Sequence, residues 1–336
     1  GFGISLTGIT RMYAGQSLIG IISPFLASIT DTRGRRTGML AGLILFSVGA
    51  GVVQFLPTPL GFFIFLVLSM LGKALFDPSL LAFYGDIIPY SRRGFVLGLT
   101  ETSWSLAFFL GMPAVGFLLS QFGLLAPFLV LALLGVLSLL VILLIIAPDS
   151  HENAAKETLQ TNFTNVFRSQ AALAGLGVML LICVANQLIN VVFGVWLNES
   201  FGMQIAALGG ASVVIGLAEL IGEGGVSALA DRISKQRAVL LGMVGSILAS
   251  AALPLLGGSN WGAFVGLFLF FLTFEFTIVS LLPLMTGVLP KTRGTLLALT
   301  LASANLGRGL GSLVAAPMYQ QGFWVNALFA GLVNLL

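Results

Sequence analysis

Ala27-Ser28-Ile29-Thr30-Asp31-Thr32-Arg33-Gly34-Arg35-Arg36 is a short basic turn between two long apolar runs. Asp31 opens it, Gly34 bends it, and three arginines fill it. From Ala230 to Arg237 the chain repeats the device as Ala-Asp-Arg-Ile-Ser-Lys-Gln-Arg, with Asp231 placed 200 residues after Asp31. A second pair of turns keeps that offset. Arg93-Gly94-x-x-Leu97-x-Leu99-Thr100 matches Arg293-Gly294-x-x-Leu297-x-Leu299-Thr300. Two turns echoed at one fixed spacing mark an internal duplication.

Composition identifies the solvent. Of 336 residues, 57% are hydrophobic and 8% charged, and the mean hydropathy is +1.06. A soluble domain carries about 25% charged residues, so the medium here is lipid. Backbone groups in lipid must bond internally, which leaves helices or closed barrels. The apolar runs reach about 20 residues and lack alternation, so helices are expected. They cover Leu6–Thr30, Thr37–Leu56, Leu60–Ile88, Phe95–Gln121, Leu124–Ala147, Ala171–Leu197, Ile205–Ala230, Ala238–Leu256, Trp261–Leu289, Thr295–Gln321 and Phe323–Leu336.

The offset orders these runs. Ala171–Leu197 moved back by 200 falls before residue 1, and Leu124–Ala147 moved forward runs past residue 336. The expectation is a six-plus-six helix protein of which this all-α chain holds eleven helices, without the first and with the last truncated. The halves are 1–147 and 171–336. Between them, 148–170 is the one long polar segment, read as a cytoplasmic linker. Within it Leu159, Phe163, Val166 and Phe167 fall on one helical face, which predicts a short amphipathic helix on the membrane surface. His151 lies in this linker and is no ligand.

All Lys and Arg except Arg11, Lys73 and Arg308 lie in the linker or the turns on one side. The positive-inside rule puts that side in the cytoplasm, so the net charge of +3 is a topology signal and not a nucleic-acid footprint. Arg11 sits near an outer helix end and can snorkel. The lone Cys183 allows no intrachain disulfide. No Gly-rich nucleotide loop, metal-ligand spacing or span-embedded histidine occurs, so neither a cofactor, a metal site nor an enzyme is expected.

Taken together, the turns resemble the major facilitator superfamily. Its cytoplasmic signature, Gly-x-x-x-Asp-Arg/Lys-x-Gly-Arg-Arg/Lys, is met by Asp31, Gly34, Arg35 and Arg36. Ala27 and Thr32 depart from it. The second copy keeps Asp231, Arg232 and Lys235, with Ser234 in place of Gly. Arg93-Gly94, with Asp86 before it, resembles the family's next cytoplasmic turn. The resemblance implies two six-helix bundles related as parallel repeats, working by alternating access. It makes these residues a conformational signature, with Asp31 capping a positive helix N-terminus of the other half in one state; for Arg33, plain topology setting is the competing reading. Met112-Pro113-Ala114-Val115-Gly116-Phe117 matches the family's antiporter signature only at Pro113 and Gly116. A kinked helix with small-residue packing explains it equally.

Lys73, Asp77, Glu101, Glu219, Glu223, Glu275 and Arg308 fall well inside the spans. Each costs about 2.5–3.5 kcal/mol to insert, so they should pair or line a wet cavity. Lys73 and Asp77 are one turn apart, as are Glu219 and Glu223. Five acids against two bases leave an acidic excess, which is costly unless some acids hold protons at rest. That is what proton coupling requires, and Glu275 and Asp77 lead as carriers. The resemblance adds Asn186, Gln187 and Asn190 as substrate contacts, although interhelical hydrogen bonds explain them equally. A structural ion-pair network of Glu101, Glu219, Glu223 and Arg308 is the alternative for those four.

The expected function is secondary transport of a small solute, as proton-coupled efflux. Uptake of a nutrient by a symporter or facilitator, or a transport-inactive sensor on the same scaffold, are the alternatives. The partners implied are a small-molecule substrate, protons and the bilayer, for a monomer in a bacterial inner (plasma) membrane.

Overall fold

The computed structural model describes residues 3–22, 26, 34–88, 96, 100, 102–103, 105–147, 159–229, 233–289 and 293–336. Asp31, Arg93, Glu101, Asp231 and Arg232, singled out in the sequence, lie outside these residues, as does the Asp86 side chain. Everything regular among the described residues is helical. Seven of these helices are long and apolar enough to cross a membrane. The chain groups into two compact units, residues 1–101 with 121–158, and residues 102–120 with 159–336.

In the first unit, α1 is Leu6–Ile19, α2 Arg35–Phe55 and α3 Pro59–Ile87. Gly34 has φ +100°, a conformation that side-chain-bearing residues rarely adopt, and it introduces α2. Ser5 caps α1 and Thr58 caps α3, each through a side-chain oxygen on the third N–H beyond. Because every helix is apolar nearly all round, small residues decide which faces meet. A Cβ on Gly42 would stand 2.6 Å from the Gly72 carbonyl oxygen, so α2 and α3 touch backbone to backbone there. α5, Ala126–Ile145, lies against α2 through Gly135 and a Phe cluster. Phe65 and Phe128 meet edge to face with centroids 5.3 Å apart.

The segment 102–120 belongs with the second unit. Its described core is a π turn, Ala107–Gly111, followed by α4, Met112–Phe122. Pro113 has no N–H to give and cannot continue a regular ladder. The N–H of Met112 bonds instead to the Ala107 carbonyl, five residues back.

The rest of the second unit is α6 Leu159–Arg168, α7 Gln170–Asn190, α8 Phe193–Phe201, α9 Ile205–Leu229, α10 Lys235–Leu256, α11 Asn260–Val288, α12 Arg293–Tyr319 and α13 Phe323–Leu335. Two expectations are corrected. The run Ala171–Leu197 is two helices, not one. The pair Val191-Val192, stiff and crowded in a helix, sits at the break, where the Val192 N–H turns back to the Ile189 carbonyl. The linker helix also does not simply lie on a lipid surface. Val166 is fully buried in a cluster with Met179, Met285 and Leu296, while Phe167 remains exposed. α6 is thereby packed against α7 and α12.

Candidate functional site: an acidic cluster within the spans

α9 carries Glu219 and Glu223 one turn apart. Glu219 is 7% exposed. The glycines of α9 explain what reaches these acids. A Cβ on Gly216 would stand 2.8 Å from the Ser105 carbonyl oxygen, and one on Gly209 would stand 3.2 Å from that of Met112. The 105–116 segment therefore lies directly on α9. It brings the fully buried Ser105 to Glu223, whose Oε1 accepts a 2.7 Å hydrogen bond from the Ser105 hydroxyl.

Glu275 joins from α11. A Cβ on Gly222 would stand 3.0 Å from the Glu275 Cβ, so α9 and α11 cross beside both acids. Arg308 joins from α12. It follows Gly307, where a Cβ would stand 3.0 Å from the Cys183 Cβ of α7, and it lies near enough to Glu219 for the two charges to interact. Four predicted ionisable residues thus share one neighbourhood, three carboxylates with one guanidinium. Nothing in the sequence singles out Ser105, since serine is common in spans and its partner is 118 residues away.

The α7 amides divide. Gln187 donates from Nε2 to Ser312 Oγ at 3.0 Å, both buried. Gly311 makes room, for a Cβ there would stand 2.8 Å from the Gln187 Cβ. Gln187 is thus a tie between α7 and α12. Asn186 is 5% exposed, and its Nδ2 finds no partner among the described residues. Asn190 is half-buried at the end of α7.

Asn326 is a polar residue in an apolar run, a signal in the sequence without an evident partner. Fully buried, it donates to the Leu188 and Ala315 carbonyls at 3.0 and 2.9 Å, fastening α13 to α7 and α12. Asn326→Leu is expected to cost about 1–3 kcal/mol, the penalty for lost buried hydrogen bonds. Thermal unfolding in detergent, followed by circular dichroism, measures it.

In the first unit Lys73 and Asp77 form an ion pair along α3, both half-buried. Pro78 follows at once and, lacking an N–H, leaves the Ala74 carbonyl without its helical donor. The pair thus lies at a break in the helical ladder. Arg36 donates from Nη2 to the Leu143 carbonyl at 2.8 Å. A guanidinium on the last turn of α5 satisfies an orphan carbonyl and opposes the negative end of the helix dipole. Arg35 opens α2 beside it.

Known proteins agree with this architecture. A family profile described as Major Facilitator Superfamily matches residues 1–335. The Bacillus subtilis MFS-type transporter YwfA is 30% identical over 313 residues, covering 90% of this chain and 74% of the relative. The multidrug resistance protein MdtG of Klebsiella pneumoniae is 26% identical over 240 residues, 68% of this chain and 56% of that protein. The crystal structure of the human organic anion transporter MFSD10 superposes with a TM-score of 0.75 at 21% identity, over 97% of this chain and 82% of that one, a likeness of fold. With its duplicated turns, its membrane-spanning helices and a profile match along nearly its whole length, this chain belongs to the major facilitator superfamily and is a multi-pass membrane transporter.

Proposed function

We propose that the protein exports a small cationic or neutral amphipathic solute in exchange for protons. The observation that carries this reading is the grouping of Glu219, Glu223 and Glu275 with Arg308 among the described residues, inside the spans. Carboxylates held in an apolar setting are costly to keep charged, so these acids gain or release protons as access to water changes. Asp77 is a further carrier, held by Lys73 in one state and free to protonate when that pair opens. Asn186 offers the solute a donor. The names of relatives such as MdtG favour efflux. The reading places a monomer in the bacterial inner membrane, with substrate and protons as its partners.

The sign of coupling tests this. Proteoliposomes holding the intact protein are given a pH gradient, and accumulation of ethidium, a hydrophobic cation, is followed. Exchange predicts accumulation when the lumen is acid, whichever way the protein is inserted. Accumulation driven by acid outside would identify a symporter and overturn the proposal. Equilibration without concentration would identify a facilitator and overturn it too.

A further inference from the structure

The end of the second unit remote from its basic turns contains a bowl of about 490 Å³. It lies among the ends of α8, α10 and α12 and the start of α13. Its size suits a small molecule, for which sites of roughly 300–1,000 Å³ are usual. Part of its wall is aromatic. Trp196 stacks on Phe323 with centroids 3.8 Å apart and planes 5° from parallel. Trp324 stands at the rim, 55% exposed.

Among the described residues, Glu199 is the one charged residue lining the bowl, with no Lys or Arg in the lining. Its Oε2 accepts a 2.6 Å hydrogen bond from the Tyr319 hydroxyl, which orients the carboxylate and leaves Oε1 for a ligand. Both tryptophans rest on glycines. A Cβ on Gly257 would stand 2.9 Å from the Trp196 ring, and one on Gly322, at φ +118°, would stand 2.8 Å from the Trp324 ring. The two tryptophan rings are therefore closely packed on glycine backbone, at Gly322 in a conformation that side-chain-bearing residues rarely adopt.

We propose that this bowl binds a hydrophobic organic cation. A cation is attracted by ring faces, more so where water is partly excluded, and by a carboxylate with no basic rival among the described residues of the lining. The apolar body of the ligand would lie along Trp324 and Tyr319, with Gln320 and Gln321 at the polar rim. The charge asymmetry of the chain turns this end away from the cytoplasm. The site is thus a peripheral one on the outer face, separate from the acidic cluster, and it stands whether or not protons are coupled.

The test is a titration of the intact protein in lipid nanodiscs with tetraphenylphosphonium, read by tryptophan emission. Tetraphenylborate serves as the anion of similar shape. The cation should give a saturable change and the borate none. Glu199→Gln should weaken binding about tenfold or more, Tyr319→Phe several-fold, and Trp324→Leu should remove most of the signal. Glu199 is exposed, so its variant should keep the wild-type melting temperature. Equal responses to both ions would mean partition into lipid and overturn the proposal. So would wild-type affinity in Glu199→Gln, or a response lost in Glu275→Gln and kept in Glu199→Gln, which would put the cation in the acidic cluster.

Discussion

Glu275→Gln is expected to abolish accumulation against a gradient while leaving solute exchange in place. A pH unit is worth about 1.36 kcal/mol per proton, a factor of ten in concentration. If one proton is exchanged per solute, a two-unit gradient sustains roughly hundredfold accumulation in the parent protein. A variant that carries no proton should equilibrate at unity. Glutamine keeps the size and polarity of the side chain, so solute counterflow, which needs no net proton movement, should continue. Glu219→Gln, at the more buried acid, is the companion. Full proton-driven accumulation in both variants would remove the cluster from the coupling mechanism.

Gly307→Leu is expected to be the most damaging packing change. A Cβ at this position would collide with the Leu180 backbone oxygen and stand 3.0 Å from the Cys183 Cβ. A carbonyl held in a helix cannot rotate aside, so α7 and α12 must separate. That would break the Gln187–Ser312 bond and shift Arg308, the next residue, against Glu219. Overpacking costs about 1–3 kcal/mol and sometimes more, and a Leu across a backbone contact belongs at the upper end. Gly177 is the control. Nothing lies within 4 Å of a Cβ there, and Gly→Ala in a helix interior gains roughly 0.5–1 kcal/mol. Thermal unfolding should therefore fall sharply for Gly307→Leu and hold or rise for Gly177→Ala.

The echo at Arg93 and Arg293 made the repeat legible, and the absence of soluble-like composition made the solvent legible. Together they were enough for the fold. The residues of the acidic cluster were also visible, because a charge in an apolar run is conspicuous wherever its helix turns. What stayed hidden was direction. In a helix apolar on every side, periodicity no longer tells which face meets a neighbour, so the meeting of Glu275 with Gly222 could not be read. Ser105 reaches Glu223 and Asn326 reaches Leu188, each more than a hundred residues away, and these roles exist only once the helices cross. The linker helix shows the opposite limit. Its stripe was real, but Val166 on that stripe found protein, not lipid.

The five-residue turn at Ala107–Gly111 has a consequence for insertions and deletions. An α-helix advances about 100° per residue. The wide turn therefore fixes the rotational phase between Ser105 on one side and Pro113 and Gly116 on the other. Substitutions within it can be absorbed by side chains. Losing a single residue there would let the turn close into a regular α-helical one with Ser105 still in phase, whereas a residue lost from the regular turn that follows would rotate Ser105 by about 100° away from α9.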